Sequence, residues 1–311
     1  MKKSIKFALE LGATMYMPAT LSVDKMFGIL TADPFVALIP QTMVVCLEDA
    51  VSDKDLAYAL DNLKILLMRI KAKNIKTPSV SLFIRPRNID VAEKILNWQL
   101  NDTFVGFVLP KFNLDNMHNW AGILPDDLHF MPTLETFEYF DAFYQRDMRF
   151  ALQESMDRPI CLRIGGNDLL SSLNLRRPKD KTIYQTPVGT LIPQLVGQFA
   201  PYGFDLSAPV CEHFSNYDLL HQEILQDIDH GLLTKTVIHP TQIPTVMSAY
   251  KVTFQDYVDA KNILDDSAKS VFNSNGSMLE VTTHKRWAEK IMLRQKTYGV
   301  NTDLSLALES A

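Results

Sequence analysis

Two short stretches of the sequence each bring a carboxylate to the point where an apolar run stops: Leu134-Glu135-Thr136, and Leu162-Arg163-Ile164-Gly165-Gly166-Asn167-Asp168. In an α/β architecture that point fixes a side chain on a strand end while the loop beyond opens it to ligand. Glu135 and Asp168 are hard oxygen ligands of the kind Mg2+ prefers, with Mn2+ the alternative. Two carboxylates leave coordination places for water and substrate oxygens, and a cation held there is a Lewis acid. Arg85, in Phe83-Ile84-Arg85-Pro86-Arg87, offers a planar fork matched to a carboxylate or an enolate oxygen. Gly165 and Gly166 let backbone amides approach an anion with no β-carbon in the way. Glu48 and Asp49 follow the apolar run Met43 to Leu47; they would orient the arginine or nearby waters, although such a pair serves equally well as charges at a helix start. Lys111 follows another apolar run and divides evenly between a substrate contact and a surface charge.

Apolar runs read as strands at Thr14 to Pro18, Met43 to Leu47, Val80 to Ile84, Val105 to Leu109, Leu128 to Pro132, Ile160 to Ile164, Gly203 to Ser207 and Thr236 to Ile238. Between them the spacing predicts helices over Asp53 to Lys73, with Ser52 as N-cap, and over Ala92 to Gln99, Thr136 to Gln153, Val188 to Ala200 and Tyr217 to Gly231. Strands separated by helices pair in parallel, and eight such units close into a (β/α)8 TIM barrel. A doubly wound sheet would want a glycine-rich phosphate loop after its first strand, and only Gly12 and Gly28 lie near that point. Seven of these eight strands would deliver a polar group to the same rim within a few residues of their ends.

Residues 1–250 therefore read as the barrel and residues 251–311 as a C-terminal helical extension. The extension carries helices at Phe254 to Lys269 and Thr283 to Tyr298, with Asn275-Gly276 as a turn signal inside Val271 to Leu279. Its apolar positions Val271, Phe272, Met278 and Leu279 need a partner surface, on the barrel or on a neighbouring subunit.

With 311 residues, 47% of them hydrophobic and 22% charged, the chain can bury a large core. A net charge of -5 argues against a nucleic-acid partner. No run is long and apolar enough to span a bilayer, and Lys6 and Glu10 interrupt the weak apolar N-terminus, so a cytoplasmic protein is expected. Cys46, Cys161 and Cys211 stand far apart inside apolar runs and read as buried thiols. The basic run Leu175 to Lys181 reads as a solvated loop or a phosphate grip. His239 ends a strand but reads as a packed turn, its ring tied to a backbone carbonyl, and is not assigned as a base.

Six blocks in order carry a family resemblance. Val44-Val45-Cys46-Leu47-Glu48-Asp49-Ala50-Val51 resembles the "LDLEDAV" block of the citrate lyase beta subunit and its relatives in the HpcH/HpaI aldolase superfamily. Phe83 to Asn88 resembles their "VRVN" strand, Gly106 to Lys111 their "GIVLPK" strand, and Gly165 to Leu169 their "FGAEDL" turn. Val237 to Ile243 is similar to "AIHPGQI" and Gly276 to Glu280 to "GxMID", so the resemblance spans roughly residues 12 to 295.

The resemblance implies a metal-dependent barrel, often trimeric or hexameric, acting on carbon–carbon bonds through an enolate. Carried over by position, Glu135 and Asp168 hold Mg2+, Arg85 binds a substrate carboxylate or carbonyl, and Glu280 stands where relatives offer a tail aspartate to a neighbour's site. Pro18-Ala19-Thr20-Leu21-Ser22 replaces the relatives' "PGDRP", and Ile164 to Asp168 replaces "FGAED". These departures argue against an ordinary acyl-coenzyme A thioester and place the chain in the divergent carbon–carbon bond lyase branch. The expected activity is a Mg2+-dependent lyase or aldolase acting on a small carboxylate- or thioester-bearing substrate, in a homo-oligomer with a trimer favoured. Catalytic roles fall to Arg85, Glu48, Asp49 and Glu280, and substrate contacts to Arg85, Lys111, Gly165 and Gly166. The competing expectation is a non-catalytic scaffold that binds a metabolite or a partner protein; retention of both carboxylates and the arginine speaks for the enzyme.

Overall fold

The computed structural model describes residues 5–33, 38–73, 79–156 and 159–301. Its apolar runs become eight strands: β1 (Ala13–Pro18), β2 (Thr42–Cys46), β3 (Ser81–Arg85), β4 (Gly106–Leu109), β5 (His129–Leu134), β6 (Leu162–Ile164), β7 (Leu206–Ser207) and β8 (Lys235–Val237). All pair in parallel in chain order, and β1 pairs with both β2 and β8. The remaining seam is a single bridge, Ala208 to Lys235, with Ala208 N–H donating to the Thr234 carbonyl at 2.8 Å. The sheet thus closes as a (β/α)8 barrel. β7 is shorter than its apolar run because Gly203, at φ +83°, caps the preceding turn Ala200–Tyr202 and delays the extended backbone.

Side chains alternate across each strand, so the interior receives every second residue. Val44, Phe83, Val108, Met131 and Cys161 form an apolar floor together with Ile5, Ala8 and Leu11 from the segment before β1. One step further along the strands the interior positions turn polar: Cys46, Arg85, Thr133 and Arg163 line a cavity rather than a packed layer. The barrel is filled below and open above.

Helices follow the strands where caps allow. Ser22 accepts from Lys25 N–H to start Val23–Thr31, Asn88 from Val91 N–H to start Ile89–Leu96, and Asn113 and Asn116 form a reciprocal capping box at Leu114–Ile123. The run predicted as one helix from Thr136 divides into a 3-10 turn, Phe137–Phe140, and a helix, Ala142–Ser155, because Asp141 is extended and caps Phe143 N–H. Ser52 is not the expected cap. Its hydroxyl donates to the Asp55 carboxylate at 2.6 Å, and a 3-10 turn, Asp53–Asp55, precedes the helix Leu56–Ala72. All three cysteines are free and buried. Among the described residues no helix is long and apolar enough to cross a membrane.

The chain divides into two compact units, residues 1–246 and 247–311. In the second, helices Phe254–Ile263 and Val281–Tyr298 pack around a hairpin of β9 (Val271–Ser274) and β10 (Ser277–Glu280). Asn275 and Gly276, at φ +44° and +76°, make the tight turn their types suggest. Leu279 and Phe272 pack with Val252, Ala260, Ile263, Ala288 and Ile291 inside this unit. Only Val271 and Met278 of the four apolar tail positions are exposed, because alternation on a hairpin turns one face inward.

Candidate active site

The rim builds itself from strand ends. Arg85 is the last residue of β3 and Glu135 the first beyond β5; Glu48 and Lys111 stand two residues past β2 and β4, and Asp168 lies in the first turn of the helix Gly166–Ser172 after β6. Arg85 Nη2 sits 2.8 Å from Glu48 Oε2, 2.9 Å from Glu135 Oε1 and 3.7 Å from Asp49 Oδ2. Lys111 Nζ lies 2.6 Å from Glu48 Oε1 and 3.5 Å from both Asp49 Oδ1 and Asp168 Oδ1. The Lys111 backbone is left-handed, at φ +46°, and its N–H donates to Glu135 Oε1 at 2.7 Å. A non-glycine residue in that region is uncommon and marks a constrained turn.

Four carboxylates thus meet two cations at one rim, a surplus of two negative charges when all are ionised. The electrostatics register that surplus. Burial pushes Glu135 up to about 7 despite the pull of Arg85, with the Asp168 charge adding to the rise. Burial against the cavity wall and, more durably for a side chain 62% exposed, a hydrogen bond to and repulsion from Glu48 push Asp49 up to about 6. Glu48 goes the other way: burial opposes its charge, but the Asp49 hydrogen bond, Arg85 and Lys111 hold it down to about 2. Burial works against the charge of Arg85 and Lys111 too, yet the carboxylates around them raise both above their ordinary range.

Glu135 Oε2 is buried with no hydrogen-bond partner, and the charge of Asp168 acts on the same carboxyl across the rim. An orphaned carboxylate oxygen in a region of excess negative charge fits a divalent cation. Among the described residues no three His, Cys, Asp or Glu side chains are arranged to hold an ion, so Glu135 and Asp168 could form only a two-carboxylate site. That donor set suits magnesium, which keeps several of its waters.

Gly165 answers to Glu135. Its own N–H donates to the Leu134 carbonyl at 3.1 Å, continuing the barrel ladder, while a β-carbon there would stand 2.5 Å from Glu135 Oε2. At Gly166 a β-carbon would meet Ile183 and Pro209 at 2.5 and 2.9 Å. Both glycines make room for side chains that line or support a cavity of about 450 Å3, bounded by Pro18, Glu48, Arg85, Glu135, Asp168 and Ile238 among others. Glu280 belongs to the second unit, where it ends β10 and accepts a hydrogen bond from Thr283 at 2.9 Å.

Four polar lining residues carry no motif and are not singled out by the sequence: Tyr16, Thr133, Arg163 and Thr236. A signal for one was visible, since an arginine in the middle of the apolar run Cys161 to Ile164 has to point somewhere polar. The basic run after the Asp168 helix is a solvated loop at Arg176, Lys179 and Lys181, all exposed, and departs from that expectation only at Arg177. Arg177 is buried, ion-paired to Glu223 and donating to the Val210 carbonyl at 2.6 Å. His239 stacks on Phe214 at 4.7 Å, and its Nδ1 contacts the Thr241 hydroxyl, not a backbone carbonyl.

The pattern that defines the C-C_Bond_Lyase family of the TIM-barrel fold matches residues 5–300. The chain belongs to that family. Among solved structures it is similar to the CitE protein of Mycobacterium tuberculosis in complex with magnesium, acetoacetate and coenzyme A, at 16% identity and a TM-score of 0.65, over 92% of this chain and 98% of that one. It is similar to the Haloferax volcanii malate synthase lead(II) complex at 12% identity and a TM-score of 0.61, over 96% and 95%, and to RipC of Yersinia pestis at 18% and 0.56, over 78% and 95%. No curated protein matches the chain. At these identities the likeness to solved structures speaks for the fold, and the C-C_Bond_Lyase membership is carried by the family pattern itself.

Proposed function

We propose that this C-C_Bond_Lyase member makes or breaks a carbon–carbon bond beside a carbonyl in a small carboxylate-bearing substrate, with Mg2+ held by Glu135 and Asp168. The observation that carries the proposal is the unpartnered Glu135 Oε2 in a rim where four carboxylates meet only Arg85 and Lys111. Complexes of related barrels with magnesium and acetoacetate or with oxaloacetate and magnesium support the same chemistry. When bound, the cation would supply Lewis-acid stabilisation of an enolate oxygen.

The protein's own groups supply the rest. Arg85, locked between Glu48 and Glu135, presents a fixed positive charge into the cavity where negative charge develops on the enolate. Its fork is preorganised by those two carboxylates, so no reorientation is needed during the reaction. Glu48 and Asp49 are neighbours whose proton affinities are driven apart. Such a divided pair assigns roles: Glu48 stays ionised and anchors Arg85 and Lys111, while Asp49, up at about 6, exchanges a proton near neutral pH. Lys111 ties Glu48 to Asp168 and closes the ring of charges.

The test is direct. Pure protein with Mg2+ is mixed in deuterated water with a panel of 2-keto acids, 3-hydroxy acids and acyl thioesters, and followed by proton NMR. Exchange at the carbon beside the carbonyl, or appearance of a cleaved carbonyl product, is expected for at least one class. Silence across the whole panel would count against the assignment.

A further inference from the structure

Arg163 is the one cation of the cavity that the site chemistry leaves unused. It projects from β6 into the barrel, is 2% exposed, and lines the cavity below the rim. Arg85 and Lys111 are each surrounded by carboxylates, whereas Arg163 meets only neutral groups. Its Nη2 contacts the Thr236 hydroxyl, its Nη1 stands 3.7 Å from Met131 Sδ, and its guanidinium lies 5.3 Å from the centre of the Tyr16 ring. Among the described residues no carboxylate pairs with it.

A buried guanidinium cannot shed its charge, and a protein that keeps one without a counter-ion leaves a strong demand for an anion beside it. A second observation points to the same place. Thr133, the residue that pairs with Arg163 across β5 and β6, is 2% exposed, lines the cavity, and its hydroxyl has no hydrogen-bond partner. A free donor and an unpaired cation therefore face one space.

The rim lies two residues further along: Glu135 follows Thr133 by two positions and Gly165 follows Arg163 by two. At about 3.3 Å per residue the offset along the strand is about 7 Å. That is the reach of a short carbon chain with an acidic group at each end.

We infer that Arg163 and Thr133 form a subsite for a second carboxylate, so that the substrate is a short-chain dicarboxylate held with one end at the rim and the other in the layer just above the apolar floor. The inference builds on the rim being the substrate site, as proposed above. Arg85 then serves the reacting end and Arg163 the distal one, which makes Arg163 a specificity residue that touches substrate but not the bond that changes. A monocarboxylate would leave the Arg163 charge unmet, and binding would weaken accordingly.

Succinate and butyrate test this without any chemistry, since they differ only in the terminal carboxylate and neither carries a keto group. Each is titrated calorimetrically into wild-type protein, R163Q and R163K, with and without Mg2+, and Mg2+ alone is titrated into all three. Wild type should bind succinate at least about tenfold tighter than butyrate, R163Q should erase that ratio with its Mg2+ affinity unchanged, and R163K should retain part of it. The metal-free arm separates the subsite from the metal site: if Mg2+ binds nowhere, the succinate preference and its loss in R163Q are still expected. In case R163Q does not fold, the side-chain Nε–H signal of Arg163 in 15N-labelled wild type is followed by NMR and should shift with succinate. Equal affinities in wild type, a ratio preserved in R163Q, or an Arg163 signal that saturating succinate leaves in place would each overturn the inference.

Discussion

Gly165 and Glu135 fit together so closely that a β-carbon on the glycine would stand 2.3 Å from the β-carbon of the glutamate. The contact joins β6 to the end of β5 and fixes where the buried carboxylate can lie. G165A should therefore displace Glu135, costing about 1–3 kcal/mol of stability through overpacking and weakening Mg2+ binding by about tenfold or more. Chemical unfolding and calorimetric Mg2+ titration of the same samples check both. Wild-type metal affinity in G165A would mean that Glu135 is not a ligand.

Metal affinity should depend on pH with a defined sign. Without metal, Glu135 titrates at about 7, so below that pH a proton competes with the cation for the same oxygen. Apparent Mg2+ affinity should fall with acidification through about pH 7 and level off above it. The same carboxyl binds its proton more tightly in the folded protein than in the unfolded chain. Its ionisation therefore lowers stability as pH rises from about 4.5 to about 7, and Mg2+ should restore that loss. Titrations and melting curves one unit either side of neutrality read both effects, and a flat profile contradicts the assignment.

D168N and E135Q preserve size and hydrogen-bonding shape while removing one charge each. Asp168 is 37% exposed on the rim and contributes little to the core, so D168N should fold normally and lose Mg2+ affinity by about tenfold or more. A variant that loses its fold instead would make the residue structural.

The ion cluster away from the site should behave as structure. Lys235, fully buried, bonds Glu223 at 3.1 Å and Asp227 at 2.7 Å, and Glu223 also holds Arg177. K235M would leave two buried carboxylates short of their cation, at a cost of about 3–5 kcal/mol. Urea unfolding measures it. Mg2+ binding by the folded fraction should stay as in wild type.

Much of this was legible because barrels write their site at strand ends. Glu48, Arg85, Lys111, Glu135 and Asp168 each follow an apolar run, and the structure brings all five to one rim. What escaped was whatever local pattern does not encode. Ser52 has the type of a helix cap, yet it spends its hydroxyl on Asp55, since only three-dimensional geometry chooses between the two roles. Arg163 and Thr133 face the cavity through the alternation of β5 and β6, and a strand as short as Leu162–Ile164 gives no periodicity from which to read its inner face. Arg177 looked solvated because its partner Glu223 lies 46 positions away.

The proposed homo-oligomer, a trimer by family resemblance, is checked by multi-angle light scattering of the full chain. Val271 and Met278 are the exposed apolar residues of the tail hairpin, and replacing both by serine should reduce the assembled mass. A monomeric wild type at micromolar concentration would remove the shared-site role proposed for Glu280.

The most direct measurement is an anomalous diffraction experiment on crystals grown with Mn2+ in place of Mg2+. One strong anomalous peak is expected between the carboxylates of Glu135 and Asp168, inside the Arg85 cavity, and it should disappear in D168N crystals. A saturated Mn2+ site elsewhere on the barrel, or no peak beside Glu135 at millimolar Mn2+, would contradict the two-carboxylate metal site.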